Sequence, residues 1–293
     1  MKVIDKFLSY LAADRGYSPS TILTYQVALE DFERYFRNLD AELDWATLDA
    51  DVIRRWMAQE MGQGITARTI SKKLSALNSL YKYLLRMGLV TKNPTSLAAR
   101  PKQSKPLPAF VKESDMDRLF DEVVFPTDYE GQRDRTILLL FYHTGIRVSE
   151  LMGLDLADVS FQPNELKVTG KRNKQRIVPF GEELADALRR YLQDRRECRT
   201  QSVALFLNAK GNRVPYDTVR LAVRKYLSLV TTQKKKSPHV LRHTFATVML
   251  NHGADLEAIK ELLGHEDIST TEVYTHTTFA ELKKEYEQAH PRA

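Results

Sequence analysis

A single cysteine, Cys198, in 293 residues leaves no internal disulfide to be made, and one thiol suits a reducing compartment. No run of about 18 apolar residues occurs, so no membrane-spanning helix is expected. The start, Met1-Lys2-Val3-Ile4-Asp5, carries an acid at once and lacks a long apolar stretch, so no secretory leader is expected. A cytoplasmic location is expected. The phosphate loop Gly-x-x-x-x-Gly-Lys-Ser/Thr is missing, which argues against nucleotide hydrolysis. Acidic clusters suited to paired magnesium ions are missing too. His239 and His243 have the i, i+4 spacing of a zinc helix. Val240 stands where that helix would place glutamate, and no third ligand is evident, so neither a metal nor a cofactor is expected.

What is present is a modest excess of positive charge. Lys and Arg number 44 against 38 Asp and Glu, a net of +6, with a pI near 9.2. The excess is uneven: residues 1–108 hold sixteen basic and eleven acidic side chains, a net of +5, leaving +1 for the remainder. A polyanionic partner fits that balance.

Four prolines fall within the sixteen residues 93–108: Pro94, Pro101, Pro106 and Pro108. Proline removes backbone donors and holds its predecessor extended, so a linker is expected at 101–108, between domains at 1–100 and 109–293. Before it the apolar spacing is helical throughout, in four helices. Ser18-Pro19 reads as a cap and first residue, and Gly88 as a left-handed stop after Met87. After it helices are expected at about 113–123, 130–144, 149–153, 181–196, 214–230, 239–252, 255–263 and 269–275. Glu165 to Val168 and Arg176 to Pro179 alternate around a turn and read as a β-hairpin; Leu205-Phe206-Leu207 suggests a further short strand. The expected fold is mainly α, with a four-helix N-terminal domain and a mostly α second domain holding a small antiparallel β-sheet.

Six side chains form an ordered set: Arg147, Lys171, His239, Arg242, His265 and Tyr274. They are the groups one would assemble to transfer a phosphoryl group without metal. Arginine grips phosphate with a planar fork that keeps its charge. A tyrosine has a pKa of about 10 and attacks well only when its proton is taken or cations stabilise the phenolate. Any one of thirteen tyrosines on its own reads as packing; its place nine residues after Leu263-Gly264-His265 singles out Tyr274. His239 and Arg242, three apart, share a helix face, with Ser237 as cap and Pro238 in the first turn. Glu150 lies three residues after Arg147 and is expected to orient it or a neighbour. Lys167, Lys171, Arg172, Lys174 and Arg176 put five positive charges into ten residues, the mark of a basic loop touching a DNA backbone. Arg68, Lys72 and Lys73 near the start of the fourth helix offer a second DNA-facing surface, against the plainer reading of a solvated helix face. His143, inside an apolar run, reads as structural.

Thr144-Gly145-Ile146-Arg147-Val148-Ser149-Glu150, His239-Val240-Leu241-Arg242-His243-Thr244-Phe245-Ala246-Thr247, Leu262-Leu263-Gly264-His265 and Ser269-Thr270-Thr271-Glu272-Val273-Tyr274-Thr275-His276 resemble the motifs of the tyrosine recombinase (phage-integrase-like) family, and within it the bacterial XerC/XerD type. The resemblance spans essentially the whole chain. It implies a site-specific DNA recombinase that cuts and rejoins duplex DNA through a 3′-phosphotyrosyl link, with chromosome dimer resolution as its task. It assigns residues 1–100 to core-DNA binding and 109–293 to catalysis. It singles out Lys171, over its neighbour Lys174, as the acid for the departing 5′ oxygen, and gives His265 a hydrogen bond to a phosphate oxygen, leaving His239 as base. It implies a tetramer on DNA, of one recombinase or two, and a DNA translocase as regulator. It also implies that the C-terminal tail helix, with Phe279, Leu282, Tyr286 and Ala289 on one stripe, inserts into a neighbouring protomer; docking on its own domain is the plainer alternative. The rival readings are an integrase of a phage or mobile element and a catalytically silent DNA-binding regulator.

Overall fold

The computed structural model describes residues 3–102, 108–170, 173–198, 200–264 and 279–293. The chain divides into two compact units, residues 1–106 and 107–293. Among the described residues no helix is long and apolar enough to cross a membrane.

The first unit is four helices: α1 (Val3–Ala13), α2 (Pro19–Leu39), α3 (Ala50–Gly62) and α4 (Ala67–Arg86). Their starts are written in the sequence. Ser18, Asp49 and Thr66 each accept backbone N–H bonds from the first turn they precede, satisfying donors that a helix start leaves open. Gly88 sits just past α4 with φ of +68°, a backbone that costs glycine little. The apolar faces close over Phe7, Phe32, Phe36, Trp56, Leu77 and Tyr81, all buried.

Lys73 corrects the expectation of a DNA-facing side chain. Its ammonium donates to Asp31 on α2 at 2.5 Å and to Glu60 on α3, and lies 5.6 Å from the centre of the Trp56 ring. Burial works against its charge, but the two carboxylates outweigh it and hold the pKa above the ordinary lysine value. Arg68 and Lys72 remain exposed on α4. Asn78 also turns inward, accepting from Asn93 Nδ2 and Thr95 Oγ1 at 2.9 and 3.1 Å.

The second unit holds α5 (Glu113–Asp121), α6 (Tyr129–Thr144), α7 (Val148–Gly153), α8 (Glu182–Glu197), α9 (Tyr216–Val230), α10 (Pro238–Asn251), α11 (Leu256–Leu263) and α12 (Phe279–Ala289). Residues 136–146 are buried without a break, as befits a helix apolar all round at the centre of a domain. Around α6 pack α8, α9 and α10.

The sheet has three antiparallel strands, β1 (Val159–Phe161), β2 (Asn164–Thr169) and β3 (Gln175–Pro179), in that order. β2 and β3 are the expected hairpin, with Val168 opposite Arg176 and Leu166 opposite Val178. β1 escaped the sequence reading because three residues are too few to show alternation. Leu205 to Leu207 do not join this sheet. Single bridges, Asp155 to Ala204 and Leu207 to Arg213, flank them, and α8 side chains hold them: Tyr191 donates to Leu205 O and Arg195 to Ala204 O. The expected helix at about 269–275 lies outside the described residues.

In this single chain the tail docks on its own domain, the plainer of the two expected arrangements. Leu282, Tyr286 and Ala289 are buried, and Tyr286 packs with Phe245, Met249, Ile259 and Leu262. Beyond α12, His290 donates from Nε2 to Tyr142 O and accepts at Nδ1 from Arg292 N–H. Arg292 pairs with Glu183, Asp117 and Asp121. His143 is structural: it is fully buried, with Nδ1 3.1 Å from Tyr286 Oη and Nε2 3.5 Å from Glu183. Burial lowers both imidazole pKa values, that of His290 to about 3.

Two predictions follow from these ion pairs. Lys73→Met should destabilise the chain by about 3 kcal/mol, because it strands two carboxylates, yet leave the salt dependence of DNA binding unchanged. Lys72→Ala should barely alter stability but reduce the salt slope by about one. Urea unfolding and salt titration check both; a reduced salt slope for Lys73→Met would restore it to the DNA surface. For the tail, both histidines bind protons more weakly when docked, so docking weakens as pH falls below about 6.5. The pKa of Glu183, which burial raises but His143 and Arg292 pull down to about 2, keeps that carboxylate charged through this window. Amide protection over residues 286–293, corrected for intrinsic exchange, should fall between pH 7.5 and 5.5; equal protection contradicts the assignment.

Candidate active site around the α11 terminus

The site is built where α6, α7, α10 and α11 end or begin. Gly145 stops α6 in a left-handed turn, φ +56°. A methyl group there would lie 2.5 Å from Phe245 Cδ1 and 2.7 Å from Leu263 Cδ2. Both the backbone angle and the space therefore demand glycine. Two residues on, Arg147 stands at the start of α7, its backbone N–H donating to Glu150 Oε2 at 2.8 Å. Gly264 stops α11 in the same left-handed way, φ +63°, and leaves that helix's last carbonyls open.

Three arginines take up those carbonyls. Arg147 donates to Leu263 O at 3.3 Å and to Gly264 O at 2.8 Å. Arg242, from α10, donates to Leu263 O at 2.7 Å and to Gly145 O at 2.8 Å. Arg176, from β3, donates to Leu262 O at 2.8 Å. The negative end of the helix is where cations are favoured.

One carboxylate sits among them. Glu150, its side chain 2% exposed, accepts from Arg147 Nη1 at 2.8 Å and from Arg176 Nη1 and Nη2 at 3.1 and 3.0 Å. Burial raises its pKa, but Arg176 and then Arg147 lower it further, so the net shift is down. Three guanidinium groups against one carboxylate leave these four residues with a net +2. Burial and then the nearby charge of Arg147 depress Arg242 to about 10, with Glu150 opposing and Arg176 adding to the fall. It stays charged at neutral pH, in a field that disfavours cations. Such a field favours an anion.

Arg147, Arg242 and Glu150 are thus brought together. His239 is exposed in the first turn of α10, one turn before Arg242. Ser237 precedes it in the cap position, but its side chain makes no capping bond. His243 is held neutral more firmly than usual, by burial and then by His239 and Arg242. Lys174 is exposed in the hairpin turn, its carbonyl accepting from Gly170 N–H at 2.7 Å. Lys171, Arg172, His265 and Tyr274 lie outside the described residues. Among the described residues no group of three or more His, Cys, Asp or Glu side chains gathers as a metal site would need.

Arg176 corrects the second DNA-facing expectation: it is bonded into Glu150 and α11. The signal was in the strand. Residues two apart share a face, so Arg176 lies on the side of Val178, which is buried, while Ile177 between them is partly exposed.

Residues 109–281 match the phage integrase family, and residues 4–88 match the phage integrase N-terminal SAM-like domain. The chain belongs to the phage integrase family of site-specific tyrosine recombinases. It is 38% identical to the tyrosine recombinase XerC of Chlorobaculum tepidum, over 99% of this chain and 94% of that protein. It is 40% identical to XerC of Bacillus pumilus, over 100% and 97%. Its fold is that of a XerH recombinase solved on palindromic difH substrate after cleavage, with a TM-score of 0.75, 21% identity, and 96% and 83% of the two chains covered.

Gly145→Ala should destabilise the recombinase by roughly 2–4 kcal/mol, the sum of a left-handed backbone and overpacking. Gly153 has nothing within 4 Å of its added methyl, so Gly153→Ala should stay within about 0.5 kcal/mol of wild type. Urea unfolding compares them; equal costs would remove the steric account of the α6 stop.

Proposed function

We propose that this recombinase cleaves and rejoins duplex DNA with Arg147 and Arg242 as the clamp on the scissile phosphate and Tyr274 as the nucleophile. The carrying observation is the net +2 of the Arg147, Arg176, Arg242 and Glu150 cluster beside the α11 terminus, eleven residues before Tyr274 in the sequence. A phosphodiester brings one negative charge, and its transition state spreads more over the non-bridging oxygens, where fixed arginine donors act most strongly.

In this reading His239, exposed at the head of α10, takes the proton of the Tyr274 phenol. The phenolic oxygen bonds to phosphorus and the bond to the 5′ oxygen breaks. Lys171, between β2 and β3 in the sequence, delivers a proton to that oxygen and frees a 5′ hydroxyl. His265 donates to a non-bridging oxygen. A 5′ hydroxyl of the partner duplex then attacks the phosphotyrosine and restores Tyr274. The number of phosphoester bonds is unchanged at each step, so no external energy source is required.

Four protomers on two duplexes follow from the need for two cut sites on each. The full-length identity to XerC proteins favours chromosome dimer resolution as the task. Arg68 and Lys72 on α4 are assigned to the DNA backbone, with Arg172 and Lys174 of the hairpin.

The test is a nicked suicide duplex resolved on a denaturing gel. Tyr274→Phe should form no covalent adduct and still bind the duplex, since affinity rests on many phosphate contacts. Arg147→Ala and Arg242→Ala should each slow adduct formation by about 10²-fold or more. An adduct persisting in Tyr274→Phe would move the nucleophile elsewhere.

A further inference from the structure

Arg176 has the geometry of a working part, although no step above uses it. Its three nitrogens are all engaged: Nε donates to Leu262 O at 2.8 Å, Nη1 to Glu150 Oε1 at 3.1 Å and Nη2 to Glu150 Oε2 at 3.0 Å. Its side chain is 17% exposed. Its guanidinium also lies flat against the α11 stop, since a methyl on Gly264 would come within 3.0 Å of Nη1. Lysine, with one ammonium, cannot deliver a bidentate pair to a carboxylate and a third bond to a separate carbonyl.

Glu150 is the shared element. Each of its oxygens accepts one bond from Arg147 and one from Arg176. Without Arg176 the buried carboxylate would have Arg147 as its main counter-charge. The four-group cluster would fall from +2 to +1, and Arg147 would be drawn into a plain ion pair with Glu150.

We infer that Arg176 is a positioning residue for the recombination reaction: it neutralises Glu150 and fixes the α11 terminus, so that the charge of Arg147 is left for the phosphate. This rests on the assignment of Arg147 to the phosphate clamp. It gives β3 a role in the clamp separate from the lysines of its turn.

The experiment measures single-turnover adduct formation on a nicked suicide duplex carrying the sequence that the wild-type chain protects on its own genome. Arg176→Ala should slow adduct formation at saturating DNA by about 10-fold or more, with duplex affinity changed by less than about twofold. A 5′-bridging sulfur, which leaves without protonation, should not relieve the defect, because the clamp rather than the leaving group is impaired. Adding Glu150→Gln should relieve it: the double variant should react about threefold faster or more than Arg176→Ala alone, since no carboxylate is left to capture Arg147. A purely structural arginine would make the double variant slower still. Should Arg176→Ala fail to fold, Arg176→Gln, which retains amide donors without the charge, carries the same comparison. Wild-type adduct formation, run alongside, tests the phosphotyrosyl reading separately. Wild-type rates for the Arg176 variants, relief by the bridging sulfur, or a defect unmoved by Glu150→Gln would each overturn the inference.

Discussion

The carbonyl oxygen of Leu263 accepts from Arg147 at 3.3 Å and from Arg242 at 2.7 Å, and the rest of the site is arranged around that meeting. Two guanidinium groups repel, so holding them together requires an acceptor common to both. The last turn of α11 provides it, because a helix ends with carbonyls that have no partner of their own. Gly264 makes the end possible by turning left-handed at φ +63°. Gly145 does the same for α6 and offers its own carbonyl to Arg242. The glycines and arginines of the motifs are one structural device: the glycines expose carbonyls, and the arginines are anchored on them.

Anchoring alone would give a rigid cationic cluster with no room for control of its charge. Glu150 sets that charge. Buried and four times hydrogen-bonded, it removes one positive charge from three and orients Arg147 from both backbone and side chain. In the proposed reaction, what remains would match a phosphate group passing through a more negative transition state. Electrostatic preorganisation of this kind acts without reorganisation at the moment of reaction. The tail helix completes the same neighbourhood from behind, since Tyr286 packs in the cluster that includes Phe245, Ile259 and Leu262. The docking of α12 and the seating of α11 therefore share a core.

Much of this was legible in the sequence. The α2 start was marked by Ser18-Pro19 and the α4 stop by Gly88, because capping is local chemistry. The family motifs were legible because each is a contiguous run of residues in a fixed order. The misread residues were those whose partners come from distant sequence. Lys73 looked like a surface cation on a basic helix face; its carboxylates, Asp31 and Glu60, lie 42 and 13 residues away. Arg176 looked like one more charge in a basic loop; its partner Glu150 is 26 residues away and Leu262 is 86 away. Only the two-residue period of β3 hinted that it faced inward. The third strand, Val159–Phe161, was too short to carry a period, and the tail's apolar stripe does not by itself say which surface will cover it.

The central claim is that the arginine excess exists to balance the charge of the scissile phosphate. Replacing that phosphate by a methylphosphonate removes the charge while keeping the bonds to be made and broken. The direct measurement is the rate of adduct formation by Arg242→Ala on the two substrates. If the arginine balances phosphate charge, the neutral substrate should recover about tenfold or more of the activity the variant has lost on the natural one. An Arg242→Ala variant equally slow on both substrates would contradict the account, because the arginine would then be serving geometry rather than charge.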